Sequence, residues 1–532
     1  MLCAGVNCVR INFSHTRTEE IKGVVKTIRD VSKRCGKEVS ILGDISGPKL
    51  RVDGVPPDGI ALSANSELII FRDPDRGHPC FSLPELFKYV KIGDRIFFDD
   101  RKIEGQLIDK GSDSIKIKIK NRSLLLPRKG FNLPDSDIGI SVLTDKDRSD
   151  IAAALQTDID YLAISFVRNS EDVLDLKRII HSSKKTIPII SKIERRAAVK
   201  NIDEIIEVSD GLMVARGDLG VELDLDRVPS IQKQIITKAN KKGKLVIVAT
   251  QIMESMINNP SPTRAEVSDI ANAIYDGADA LMLSGETSVG NYPIETVQWL
   301  VKASLSTEDD IKRFPSDPLK EIVENRMFFS ANAIAHSAYY TALDTQASGI
   351  ICITSSGATS LLISKYHPNI PIFALSSDLN TIRRVELYRG VTGYYYDFKN
   401  EINYSSLIKF ILKFHNFKMN DTIVLTQGYP PGLSGTTNSI LVLKVGQTFR
   451  RRRNKQVQNY VSENFTLSLD KDKCLTCGIC EELCPVGIFD VELRYMRIIK
   501  KNLNKCLKDM LCVKSCPVNA LQITENKQGK EK

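Results

Sequence analysis

Apolar and polar positions follow a block pattern along the first three hundred residues. Short apolar runs, each closing in polar or charged residues, recur at VNCVRINFSH (from Val6), VSILGDISGPK (Val39), YLAISFVRN (Tyr161), IPIISKIE (Ile187), GLMVARGD (Gly211), LVIVATQ (Leu245) and ALMLSGET (Ala280). Helical patterns lie between most of them, one at 170–180 and another opening on the capping-box pair Thr263 and Glu266. Continuously apolar strands separated by helices predict a parallel sheet covered on both faces. Polar chemistry at the strand ends suits a closed βα barrel or an open doubly wound sheet, so the pattern leaves both architectures open. Seven runs are one short of a full barrel.

The rhythm breaks at about 53–135, where SELIIF, DRIFF and IKIKIK alternate with the strand period of two between turns at Gly54, Gly93 and Gly111. That predicts a small all-β domain, a β-barrel lid, inserted into a barrel spanning 1–52 and 136–306. The helix TVQWLVKASL closes the barrel, and a polar stretch follows at about 307–325. Residues 326–447 alternate helix and strand again (SANAIAHSAYYTAL, GIICIT, PIFAL, DTIVLT, ILVLKV), a further α/β domain. Residues 448–468, with Arg450 to Arg453 and Lys455, read as an exposed basic linker, and a cysteine-rich domain occupies 469–526.

Composition adds further constraints. A length of 532 residues suits three or four domains, and 42% apolar with 26% charged residues is a soluble, globular balance. The charge of +9, from 74 basic and 65 acidic residues, is too thin to predict nucleic-acid or membrane binding. No run approaches the roughly 18 apolar residues of a membrane helix, and the start lacks a secretory pattern, so a cytoplasmic protein is expected. Seven of the twelve cysteines crowd between Cys474 and Cys516, which points to metal rather than dispersed disulfides.

The strand ends carry the chemistry. Lys192 and Glu194, at i and i+2 on a strand, face one side, and burying them is costly unless a metal or anion compensates. Asp218 adds a second carboxylate beside Gly217, which lets a ligand approach the backbone. Two hard oxygen donors suit Mg²⁺. With RINFSH, GDISGPKLRV, KGFNLPD, ISKIE, MVARGDLGVE, ATQIMESM, DGADALMLSGETSVGNYP and GTTN in this order, residues 1–447 resemble pyruvate kinase.

The resemblance implies phosphoryl transfer from phosphoenolpyruvate to ADP on a TIM-type (β/α) barrel with a β lid and a C-terminal α/β domain. It implies Glu194 and Asp218 as Mg²⁺ ligands and Lys192 as the charge facing the phosphoryl group in flight. Free backbone N–H groups at Gly217 and Asp218 would hold the substrate carboxylate, and Thr250 would line the enolate face. Ser284 and Glu286 fall in the proton relay, Arg10 and Arg51 on phosphate, and Lys129, Asn12 and His15 near the nucleotide. The plainer alternatives are Ser284 as a helix cap and Arg51 as a lid ion pair. Asn12, Ser14, Asp44 and the Ile45 carbonyl match a monovalent-cation pocket. Lys49 stands where potassium-requiring members carry a carboxylate, so its fixed ammonium implies that K⁺ is not required. A homo-oligomer, a tetramer in most members, follows from the same resemblance.

Two departures stand out. Ala197 holds a position where the family usually has a polar residue. The family's first βα unit, a strand ending in a Thr-Ile-Gly-Pro-like turn, has no counterpart ahead of Met1, in keeping with the count of seven. A barrel short of one strand leaves two unpaired edges; a start placed too late, a compensating partner and an impaired kinase are the three explanations. Thr354, Ser355, Ser356 and Thr359, with the Gly435-Thr436-Thr437-Asn438 stretch, resemble a sugar-phosphate effector loop, or are an ordinary turn.

In the tail, Cys474-x₂-Cys477-x₂-Cys480-x₃-Cys484-Pro485 is a complete bacterial ferredoxin run, and Cys506-x₂-Asp509-x₂-Cys512-x₃-Cys516-Pro517 repeats it 32 residues on. Crossed ligation assigns Cys474, Cys477, Cys480 and Cys516 to one cluster, and Cys484, Cys506, Asp509 and Cys512 to the other. A carboxylate is a weaker iron ligand than thiolate, so the second site is expected to hold an Asp-ligated [4Fe–4S] cluster, a [3Fe–4S] cluster, or nothing. Three readings follow: a kinase whose Fe–S tail serves redox, docking or regulation with a ferredoxin-type partner or a pyruvate oxidoreductase; an impaired kinase scaffold acting as electron carrier or tether; and purely structural clusters.

Overall fold

The computed structural model describes residues 1–526 apart from 49, 73–77, 137–138, 314–328, 399–403, 416, 429–436, 446–456, 472, 475–477 and 493–494. Two compact units result, residues 1–403 with 415–445, and residues 404–414 with 446–532.

In the first unit all seven apolar runs become parallel strands: β1 (Cys8–Asn12), β2 (Ser40–Asp44), β3 (Tyr161–Ile164), β4 (Ile189–Ile193), β5 (Gly211–Ala215), β6 (Leu245–Ala249) and β7 (Ala280–Met282). They pair in chain order into one curled sheet, and among the described residues the outer edges of β1 and β7 have no strand partner. Residues buried on the inner face, including Leu42, Tyr161, Ile190, Met213 and Leu245, pack together, and Leu387 from the C-terminal α/β domain closes this layer. The outer faces pack against helices, among them α1 (Ile21–Cys35), α2 (Arg264–Tyr275) and α3 (Pro293–Arg313). Thr263 and Glu266 form the expected reciprocal cap at the start of α2, with bonds of 2.8 and 3.2 Å. Helix α3 runs past the point where a polar stretch was expected. Thr307 faces the core and its hydroxyl donates back to Ala303 O at 2.9 Å, so local polarity there marks a helix face, not a loop.

The lid is a seven-stranded sheet with a separate two-stranded piece. The IKIKIK alternation buries Ile115, Ile117 and Ile119 against Phe81, Phe98 and Phe131, so the pattern of period two sets which face is core. The C-terminal α/β domain has four parallel strands (Val391–Tyr395, Ile372–Ser376, Gly349–Ile353, Thr422–Gly428), with Thr437–Lys444 antiparallel at one edge. A fully buried cluster fastens it to the barrel: the Lys365 ammonium pairs with Asp279 and donates to Asn240 Oδ1 at 2.9 Å. Nearby, Tyr161 Oη donates to Arg384 O at 2.9 Å.

The second unit corrects the expected linker. Val457–Val461 and Phe465–Asp470 are strands, sheeted antiparallel with Leu521–Glu525. Tyr460, Phe465, Leu467 and Leu469 alternate into its core, a pattern hidden in the sequence by the basic run just ahead, which lies outside the described residues. Among the described residues no helix is long and apolar enough to cross a membrane.

Removing one partner of a buried ion pair strands the other charge. Lys365→Met should therefore destabilise the chain by about 3–5 kcal/mol in urea unfolding, and adding Asp279→Leu should recover most of that loss.

Candidate functional site

The C-terminal ends of β1 to β4 converge on one ammonium. Lys192 Nζ lies 2.8 Å from Glu194 Oε1 and 3.3 Å from Asp44 Oδ1, and donates to Ser165 Oγ at 2.8 Å. Arg10 clamps Asp44 from the other side, Nε to Oδ2 at 2.7 Å. Phe166 N–H donates to Glu194 Oε2 at 2.7 Å. The Asp44 and Glu194 side chains are 2% and 1% exposed, so this is buried electrostatics and salt screens it weakly. Burial alone would pull the Lys192 ammonium down, but Asp44 and Glu194 outweigh it and hold it above its ordinary value.

Asp218 sits in the first turn of the helix Arg216–Glu222, and its carboxylate has no hydrogen bond or ion pair among the described residues. Burial, then the charge of Glu194, pushes its carboxyl up to about 7. Gly217 has an ordinary φ, and an added Cβ would meet Thr250 only at 3.5 Å, so the fold itself does not demand glycine there. The expectation of a free N–H at Gly217 is corrected: it donates to Thr250 Oγ1 at 2.8 Å. Thr250 and Gln251 take left-handed φ of 69° and 52°, a conformation that is strained above all for the β-branched Thr250. Arg216, which sequence reasoning passed over, holds that turn by donating to Thr250 O at 2.8 Å and Gln251 O at 3.0 Å. Its signal was its place inside the strand-end run GLMVARGD.

Past β7, Ser284 precedes the short helix Gly285–Ser288 but makes no side-chain cap bond, so the capping alternative falls away. Glu286 is buried and accepts from Ser284 N–H at 2.7 Å and Met253 N–H at 3.1 Å. Both oxygens are thus committed to backbone. Asn12 Oδ1 accepts from Ser14 N–H at 3.0 Å, Ser14 Oγ meets Ser46 Oγ at 3.0 Å, and Ile45 O accepts from Ser165 Oγ at 2.6 Å. His15 is exposed, and Lys49 lies outside the described residues.

The lid contributes from a different direction. Arg51 Nη1 donates to Arg128 O at 2.7 Å, and Lys129 Nζ pairs with Asp99 at 2.8 Å. The tip between Arg95–Phe98 and Ile103–Lys110 carries three successive left-handed residues, Asp99, Asp100 and Arg101, with φ of 50°, 53° and 69°. Arg101 lies 4.7 Å over the Phe97 ring and donates to Leu223 O of the barrel at 3.1 Å. The charge of Asp100 adds to the upward push on Asp218.

In the C-terminal domain, Thr354 Oγ1 accepts from Gly357 N–H at 2.9 Å and Ser355 O accepts from Thr381 Oγ1 at 2.8 Å. Ser356 lies in the same turn, whereas Thr359 is buried with its hydroxyl on Thr437, facing inward. Gly435 and Thr436 lie outside the described residues.

The tail brings the candidate cluster ligands together in two hollows. One is lined by Cys474, Cys480 and Cys516 with Ile479, Val491 and Leu521; the other by Cys484, Cys506, Asp509 and Cys512 with Val486 and Ile523. Cys484 thus lines the hollow of the later run, and Cys516 that of the earlier one. Cys477 lies outside the described residues. A local pseudo-repeat shows in the backbone: Ile488 N–H meets Cys484 Sγ at 3.4 Å and Ala520 N–H meets Cys516 Sγ at 3.2 Å. Among the described residues no three such side chains converge on a point that would seat a single ion. A four-iron cluster instead spreads its ligands over its corners.

A family model described as "Pyruvate kinase, barrel domain" matches residues 1–297, one described as "Pyruvate kinase, alpha/beta domain" matches 332–443, and "4Fe-4S binding domain" matches 467–490. The chain belongs to the pyruvate kinase family. A pyruvate kinase from Staphylococcus epidermidis is 40% identical over 455 residues, covering 84% of this chain and 77% of that protein. One from Staphylococcus haemolyticus is 38% identical over 504 residues, covering 91% and 85%. The crystal structure of a pyruvate kinase from Cryptosporidium parvum superposes with a TM-score of 0.75 at 33% identity, covering 83% of this chain and 92% of that one. Membership makes this chain a phosphotransferase carrying an appended 4Fe–4S binding domain.

The site fits the Mg²⁺ that pyruvate kinases use. Among the described residues the buried Glu194 Oε1 is met only by the Lys192 ammonium, Asp218 has no hydrogen bond or ion pair, and the three carboxylates Asp44, Glu194 and Asp218 face two cations, Arg10 and Lys192. Because the Asp218 carboxyl is raised in the folded chain, its proton stabilises the fold at low pH, and that contribution is lost as pH rises through about 7. A carboxyl C=O band should disappear between pH 6 and 8 in difference infrared spectra of the metal-free protein. The band should be absent in Asp218→Asn and move to lower pH in Glu194→Gln.

Proposed function

We propose that the chain transfers the phosphoryl group of phosphoenolpyruvate to ADP, giving pyruvate and ATP, at the ends of β1 to β7. The observation that carries this reading is the buried Lys192 ammonium, ringed by Asp44, Glu194 and Ser165 where strand ends meet. Glu194 and Asp218 would hold Mg²⁺, which supplies Lewis-acid charge to the enolate and phosphoryl oxygens. Lys192 offsets negative charge on the group in flight, and Arg10, anchored on Asp44, orients its phosphate oxygens. The Thr250 hydroxyl, presented by a strained turn that Arg216 holds, lines the enolate face. Ser284 delivers the proton to the enolpyruvate carbon; Glu286, whose oxygens are bound to backbone, positions that serine. Arg51 and Lys129 on the lid, with Asn12 and His15, serve the nucleotide side. Lys49 takes over the role of K⁺, whose pocket in this family Asn12, Ser14, Asp44 and Ile45 match.

For the tail we propose two Fe–S sites, Cys474, Cys477, Cys480 and Cys516 at one and Cys484, Cys506, Asp509 and Cys512 at the other, with a redox or docking role toward a pyruvate-consuming oxidoreductase. The crossed grouping of ligands in the two hollows supports it.

Lys192→Met should lower kcat by about 10²–10³-fold while a thermal melt shows the fold retained; undiminished ATP yield would remove the assignment. In anaerobically purified protein, Asp509→Cys should change the electron paramagnetic resonance signal of the second cluster and leave the first unchanged. An unaltered second signal means that Asp509 is no ligand.

A further inference from the structure

Two thiols outside both sites stand against each other. Cys3 lies in the single turn Leu2–Ala4, Cys35 ends α1, and their Sγ atoms are 3.5 Å apart. Both are exposed, whereas Cys80 and Cys352 are buried and Cys8 packs with the barrel interior, so this pair has no nearby competitor in the first unit. An S–S bond is about 2.05 Å long, so about 1.5 Å of approach separates thiols from bond. The segment that must move is a three-residue turn, closed by Ala4 N–H to Met1 O at 2.9 Å, Gly5 N–H to Leu2 O at 3.2 Å and a long Val6 N–H to Met1 O contact at 3.5 Å.

The turn also occupies a particular place. Lys37 Nζ donates to Val6 O at 2.9 Å, and Ser40 N–H donates to Asn7 O at 2.9 Å, which fix residues 6–7 beside α1 and β2. Gly5, at φ 123°, packs so closely on α3 that an added Cβ would lie 2.7 Å from Val301 Cγ2. Helices α1 and α3 follow β1 and β7, the two strands whose outer edges lack a partner among the described residues. Residues 1–7 therefore pack between α1 and α3, the two helices that flank the seam between those edges.

We propose that Cys3 and Cys35 are a disulfide-forming site that, once oxidised, staples residues 1–7 across this seam. The oxidant is a low-molecular-weight disulfide of the glutathione class. One cysteine thiolate attacks a sulfur of that disulfide, breaks its S–S bond and expels one small thiolate. The other cysteine thiolate then attacks the protein sulfur of the mixed disulfide, forms the Cys3–Cys35 bond and expels the second small thiolate. Two protein thiols are oxidised, one small disulfide is reduced to two thiols, and the two cysteine protons pass to the released thiolates.

The test uses the full chain with its clusters intact, equilibrated anaerobically in graded reduced and oxidised glutathione, acid-quenched, alkylated and mapped by mass spectrometry. The expected result is a peptide pair cross-linked through Cys3 and Cys35, absent in Cys3→Ser and Cys35→Ser, where only a glutathione adduct forms. The oxidised chain should melt about 5 °C higher, and amides of Cys8–Asn12 and Ala280–Met282 should exchange several-fold more slowly than in the reduced chain. Glutathione adducts on either cysteine without the cross-link would overturn the proposal. A cross-link with unaltered exchange in both strands would overturn the staple across the seam.

Discussion

A buried ammonium must be neutralised where it stands, and that requirement organises the catalytic half of this molecule. Lys192 is surrounded by carboxylates from two different strands, and Arg10 from a third strand shares one of them. Parallel pairing of β1 through β4 in chain order is what lets residues from 10 to 194 meet at one edge of the sheet. The negative charge still exceeds the positive once Asp218 is counted. Among the described residues this leaves an electrostatic deficit of the kind that the proposed Mg²⁺ would relieve.

Much of this was legible in the order of residues. Buried parallel strands are apolar without interruption, so all seven announced themselves, and their polar endings marked the chemical edge. The lid was equally plain, because a sheet with one solvated face alternates in period two. What could not be read were consequences of three-dimensional closure. Nothing in ATQIMES says that Thr250 takes a left-handed turn or that its hydroxyl has captured the Gly217 N–H. Nothing about Glu286 as a letter shows that both its oxygens serve backbone amides. The strands at 457–470 were obscured by a basic run whose composition outweighed a short alternation.

The two units rest on different physics. The first has three large apolar clusters and can tolerate charged groups at its strand ends because so much else holds it. The tail has one small core built around the two hollows, and cores of that size seldom fold on apolar contact alone. Six of its cysteines are partly buried against that core, so a cluster bound as proposed would also complete the domain's interior.

The crossing of the two cysteine runs has an implication for biogenesis. Cys516 lines the same hollow as Cys474 and Cys480, while Cys484 lines the one formed by the later run. A ribosome that has finished the earlier run has made neither hollow whole. On the crossed ligation proposed above, iron loading waits until synthesis has passed Cys516, when the phosphotransferase half has already emerged. A polypeptide clipped between the runs would yield two fragments, each with an incomplete set of thiolates.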